Sequence, residues 1–193
     1  LPVWSETAET VGKFAFILAN QDYQQVDYKL DNPVNDANAI ANKLGQLGFT
    51  TQVLLNTDKS GFQSALGQFI HRARQQQRQG KQLLTLFYYA GHGVQYDTVN
   101  YLMPVDINAS QLENMQPGQI KDHFISLKSV TTKLATLGAL LNVVILDACR
   151  DLPIDGLEQQ IGGWADVVEP NFFVAFGTAP GSQAEDGTGS DNS

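Results

Sequence analysis

The sequence predicts an α/β fold, a single domain with a mostly parallel central sheet and helices on both of its faces. Three observations carry that prediction. Five apolar runs of strand length recur along the chain, at 13–20, 50–56, 82–93, 141–149 and 171–179. Amphipathic stretches with helical spacing separate most of them. Strands that alternate with helices build a parallel sheet with a helical layer on each side. At 193 residues the chain fits one domain with a sizeable core.

"KFAFILAN" (13–20) reads as a buried strand that opens onto the polar loop "QDYQQVDYKLDNP". After Pro33, Ala37, Ile40, Leu44 and Leu47 recur at helical spacing, with Asn35 or Asp36 in the first turn, where amide and acidic groups suit a helix N-terminus. "TTQVLLN" (50–56) is the second strand. Phe62, Leu66, Phe69 and Ile70 then mark one face of a helix whose far end is basic and glutamine-rich. "QLLTLFYYAGHG" (82–93) is apolar enough to be covered on both faces. The stretch 94–106 reads as a short hairpin turning near Asp97 to Asn100, 124–138 as a helix and 141–149 as the fourth strand. A polar stretch (150–170) precedes the fifth strand, "NFFVAFGTA" (171–179), and the tail rich in Gly, Ser and acids reads as loop.

A net charge of −8, with no dense basic cluster, argues against nucleic acid and anionic membrane as partners. No apolar run approaches the ~20 residues that cross a bilayer. One cysteine excludes an intrachain disulfide and any multi-cysteine metal site. The expected location is cytoplasmic. Periplasmic or secreted locations stay open, because the chain starts at Leu1 and a signal peptide upstream would leave no trace. A nucleotide-dependent enzyme is disfavoured, since neither G-x-x-x-x-G-K-[ST] nor G-x-G-x-x-G follows any strand.

In such sheets ligands bind beyond the carboxyl ends of the strands. His92 and the lone Cys149 both fall there, at the ends of the third and fourth strands. A neighbouring imidazole can ionise a thiol or take its proton. The glycines flanking His92 leave room for a substrate backbone and permit positive φ. The amides of Gly93 and Cys149 are candidates for the two donors an oxyanion requires.

"YYAGHG" and "LDACRD", with His92 57 positions before Cys149, resemble the caspase-like clan of cysteine peptidases, and especially its metacaspase, orthocaspase and paracaspase branches. The caspase signature is Q-A-C-[RQG]-G, with its histidine about 50 residues upstream. "NPVNDANAI" and "FGTAPGSQAEDG" also match the clan, from about Lys13 to the end.

The resemblance implies a caspase-like three-layer α/β/α fold with a mostly parallel central sheet. It divides the chain into a large-subunit core (13–150), an intersubunit-type linker (151–170) and the start of a small-subunit region (171–193). The rest of that small subunit, on the same precursor or as a separate chain, is an expected partner. His92 and Cys149 map onto the family's catalytic dyad. Asp147 replaces the caspase glutamine, and Leu30 stands about where a caspase has its pocket arginine. Asp147 and Asp36 correspond to the acids that floor a pocket for arginine or lysine in metacaspases and paracaspases. Strand alternation places Asp147 on the same face as Cys149. The loop with Ser182, Glu185 and Asp186 corresponds to one that runs beside the substrate.

Calcium-dependent members carry paired aspartates after the hairpin. Here Asp122 is followed by His123, read as a helix-start residue, and with Asp106 this makes no six-oxygen cage. No cofactor or metal is expected. The implied function is calcium-independent cleavage of proteins and peptides after basic residues. The alternative is a catalytically weak module that acts in binding or regulation.

Overall fold

In the computed structural model, which describes residues 11–149 and 170–177, the elements follow in chain order. They are β1 (Gly12–Ala19), α1 (Pro33–Gln46), β2 (Thr50–Leu55), α2 (Lys59–Arg78), β3 (Leu83–Tyr96), β4 (Val99–Leu102), α3 (Ala109–Glu113), α4 (Ile120–His123), β5 (Ile125–Ser126), α5 (Leu127–Ala135), β6 (Leu141–Cys149) and β7 (Phe172–Phe176). Five strands form a parallel sheet in the order β2-β1-β3-β6-β7. β4 adds antiparallel to the far part of β3, and β5 adds antiparallel to β4.

The two faces of β1 explain the layers. Phe14, Phe16 and Leu18 lie in one cluster with α2 and α5, and Ala15, Ile17 and Ala19 lie in another with α1. This is the period of two expected of a strand buried on both sides. Helix α2 buries Phe62, Ala65, Leu66, Phe69, Ile70 and Ala73, one stripe at helical spacing. Phe16 anchors it, with ring centroids 5.4 Å from Phe69 and 5.8 Å from Phe62. Each fully buried phenylalanine contributes roughly 1.5–3 kcal/mol. The Asp58 carboxylate caps α2 by accepting from the Gly61 amide at 2.6 Å. Pro33 opens α1, where its fixed φ suits the first turn.

Three expectations are corrected. The third strand does not stop at Gly93. It pairs with β6 as far as His92, changes partner at Gly93 and runs to Tyr96 against β4. Asp97 and Thr98, both at positive φ (48° and 61°), turn the chain back in a tight two-residue hairpin. The helix expected over 124–138 begins only at Leu127, because Ile125 and Ser126 extend to pair with β4. His123 therefore ends the short α4 and starts no helix.

Candidate active site

His92 stands where β3 passes from one sheet to the other, and its backbone is gripped by two buried tyrosines. Its amide donates to the Tyr23 hydroxyl at 2.8 Å. Its carbonyl accepts from the Tyr89 hydroxyl at 2.6 Å and from the Met103 amide at 2.9 Å. Gly91 makes this possible. At φ 145°, a Cβ there would lie 2.7 Å from both tyrosine oxygens and 2.9 Å from the Asn20 carbonyl. The space beside this glycine is thus filled by the protein's own oxygens and is not left for a substrate, as the sequence had suggested.

The imidazole is buried against the Tyr23 ring, with centroids 4.8 Å apart, and the Tyr28 ring meets it edge-on at 6.1 Å. Nε2 lies 2.9 Å from the Tyr28 carbonyl oxygen. A carbonyl only accepts, so Nε2 carries the proton and the basic lone pair of the neutral ring sits on Nδ1.

Cys149 is the register partner of His92 across the β3–β6 ladder. The sequence placed both at one sheet edge, and the ladder makes them neighbours. A parallel rung is made by one residue with the two neighbours of its partner. His92 directs its own amide and carbonyl to Tyr23, Tyr89 and Met103, so Cys149 makes this rung. Its amide faces the Gly91 carbonyl, and its carbonyl faces the Gly93 amide. The two amides read as oxyanion donors are therefore turned to the ladder here. Composition and spacing could not reveal this pairing.

Asp147 lies one rung before Ala148, in register with Ala90. Its Oδ2 accepts from the Tyr88 hydroxyl at 3.0 Å. Asp36, buried on α1, also acts on that phenol. Burial first, then the Asp147 charge and hydrogen bond, then the Asp36 charge push the Tyr88 pKa well above the usual tyrosine range. The charges of the two acids read as pocket residues thus both act on one phenol. Leu30 packs into the cluster beneath the hairpin, and its amide donates to the Gln21 carbonyl at 3.1 Å.

The family model described as the caspase domain matches residues 12–192. This chain belongs to the caspase-domain family. Human mucosa-associated lymphoid tissue lymphoma translocation protein 1 is 27% identical over 139 residues, which is 72% of this chain and 15% of that protein. The structure of the Drosophila initiator caspase Dronc matches with a TM-score of 0.56 at 11% identity, covering 85% of this chain and 54% of that one. The structure of pro-Sf-caspase-1 matches with a TM-score of 0.58 at 15% identity, covering 87% and 62%. At those identities the likeness is one of fold. The chain spans less than two thirds of each of these three relatives. The family described by that model is one of cysteine peptidases by type.

Elsewhere in the caspase domain, the segment compared with a calcium site is held by a lysine. Lys59 Nζ donates to the carbonyls of Lys121 and Asp122 at 3.0 and 2.9 Å. Burial lowers its pKa, and the Asp122 charge opposes that shift. Among the described residues, no group of three or more His, Cys, Asp or Glu side chains could hold a metal ion. Among the same residues, no helix is long and apolar enough to cross a membrane. Ser182, Glu185, Asp186 and the linker expected at 151–170, except for Pro170, lie outside the described residues.

Sequence reasoning did not single out Tyr23, Tyr28, Tyr88, Tyr89 or Gly177. For Tyr88 and Tyr89 a signal existed, because a tyrosine in a strand buried on both faces needs a hydrogen-bond partner. Tyr23 and Tyr28 come from a loop, where no periodicity betrays them.

Proposed function

We propose that this caspase domain is the core of a cysteine endopeptidase that cleaves after basic residues, arginine before lysine, without calcium. The observation that carries the reading is the tautomer of His92. With Nε2–H committed to the Tyr28 carbonyl, Nδ1 is the nitrogen able to take a proton, and Cys149 is the register partner of this residue.

The Cys149 thiol gives its proton to Nδ1, and the thiolate adds to the scissile carbonyl carbon. The Gly93 and Cys149 amides, released from the last rung, receive the oxyanion. The tetrahedral adduct collapses, the C–N bond breaks, and the leaving amine takes the proton from the imidazolium. Water then gives a proton to Nδ1 and adds to the thioester. The thiolate departs, recovers that proton and leaves the new carboxylic acid.

Asp147 and Asp36 match the charge of the substrate's basic side chain. Ser182, Glu185 and Asp186 are proposed to line the substrate backbone, and the remaining small subunit is proposed as the partner that completes the site. Proteins or peptides with a basic residue before the cleaved bond are the proposed substrates. The rung that holds both amides favours a second reading, a module that binds or regulates and turns over weakly.

The test is a fluorogenic peptide panel on the full-length protein, with and without EDTA. Arginine peptides are expected to be cut best, lysine peptides next and aspartate peptides not at all. Cys149→Ala and His92→Ala are each expected to abolish cleavage. Activity surviving either change sinks the dyad, and efficient cleavage after aspartate sinks the pocket. A large rate increase with millimolar calcium overturns calcium independence. Selective alkylation of Cys149 by an arginine chloromethylketone without turnover of any peptide favours the weak module.

A further inference from the structure

Tyr88 is the polar exception in an apolar patch. It lies 3% exposed among Ala15, Ile17, Ala19, Leu86 and Ala90. A phenylalanine would fill the same volume without burying a hydroxyl. That hydroxyl meets Asp147 Oδ2 at 3.0 Å. The other carboxylate oxygen is confined from the residue that follows β7: a Cβ on Gly177 would lie 2.8 Å from Asp147 Oδ1 and 3.4 Å from its Cα. Gly177 is itself fixed, because its amide donates to the Leu146 carbonyl at 2.8 Å. One oxygen is thus held by a donor, and the other passes over the single residue type that leaves it space.

We propose that Tyr88 and Gly177 fix the plane of the Asp147 carboxylate and so determine how strongly the site prefers a guanidinium over an ammonium. The inference rests on the reading of Asp147 as the acid that receives the substrate's basic side chain. A guanidinium presents two parallel N–H bonds and needs both carboxylate oxygens in one plane. An ammonium is a point charge and tolerates rotation of the carboxylate. The phenol uses one of about four acceptor positions on the carboxylate, which leaves both oxygens able to accept again. Its raised pKa keeps it a donor throughout the neutral range. Tyr88 is a positioning residue, acting through Asp147.

The test compares arginine and lysine peptides, alike elsewhere, on the full-length protein and its Tyr88→Phe, Gly177→Ala and Asp147→Asn variants. Inactivation by the corresponding chloromethylketones gives a second readout. Tyr88→Phe is expected to lower the arginine-to-lysine ratio of kcat/KM roughly tenfold, the worth of a hydrogen bond to a charged group. Gly177→Ala is expected to lower the same ratio through the other oxygen. Equal losses for both substrates, or an unchanged ratio in both variants, overturn the proposal. If Asp147→Asn spares arginine cleavage, the underlying reading of Asp147 fails instead. Loss with Asp147→Asn but an unchanged ratio with Tyr88→Phe and Gly177→Ala refutes the positioning role alone. Failure of any arginine reagent to modify wild-type protein overturns both.

Discussion

Gly91→Ala should be among the most damaging single-methyl changes available to this chain. The added Cβ would lie 2.7 Å from the Tyr23 and Tyr89 hydroxyl oxygens and 2.9 Å from the Asn20 carbonyl oxygen. One of the three contacts is backbone, and the two hydroxyls are held by hydrogen bonds to His92, so none can swing away. Overpacking of this kind costs about 1–3 kcal/mol. A non-glycine residue at φ 145° adds backbone strain of about 1–3 kcal/mol. The sum is about 4 kcal/mol, which for a chain of this length lowers Tm by about 8–16 °C.

Thermal and urea unfolding followed by circular dichroism measure it without reference to activity. Gly67→Ala serves as the control. Nothing lies within 4 Å of its Cβ position in mid-helix, so it should gain about 0.5–1 kcal/mol. Adding Tyr89→Phe to Gly91→Ala removes one crowding oxygen, so the pair should cost about 1 kcal/mol less than the two singles added. A loss below about 1 kcal/mol for Gly91→Ala, or strict additivity of the pair, would refute the argument that these oxygens close the space.

Tyr23→Phe leaves the His92 amide without its 2.8 Å acceptor. It should cost about 1–3 kcal/mol by urea unfolding and lower kcat for any peptide cleaved. Folding raises the Tyr88 pKa above its ordinary 10.0, so its stabilisation is complete below pH 10 and is lost above it, where the unfolded chain deprotonates first. Tm measured from pH 8 to 11 should fall above pH 10, and Tyr88→Phe should make that fall shallower. Part of the slope should survive the change, because Tyr28 and Tyr101 are shifted the same way. Asp58→Ala removes the acceptor of the 2.6 Å bond that caps α2 and should cost about 1 kcal/mol in the same unfolding assay.

The sheet was legible because its strands are written as uninterrupted apolar runs. "KFAFILAN" at 13–20 became β1 at Gly12–Ala19, and the stripe through Phe62 and Phe69 became α2. What failed lies at Gly91 to Gly93, where the third strand runs on and the space is already filled, and between residues 107 and 126. There α3, α4 and β5 are two to five residues long, too short for a period to show. His92, Cys149 and Asp147 could be placed by strand-end logic and alternation alone. Their surroundings could not. Tyr23 meets the backbone of His92 from 69 residues away, and Gly177 approaches Asp147 from just past the end of the neighbouring strand. Those contacts follow from sheet order and register, which no local pattern records.

The crowding at Gly91 changes what a G-H-G signature can tell about a chain's history. A descendant that lost its histidine, and with it any peptidase chemistry, would still have two tyrosine hydroxyls and a carbonyl closing on position 91. Selection for folding alone would keep that glycine. The presence of the first glycine of the motif therefore follows from the fold and says nothing about whether peptidase chemistry is present.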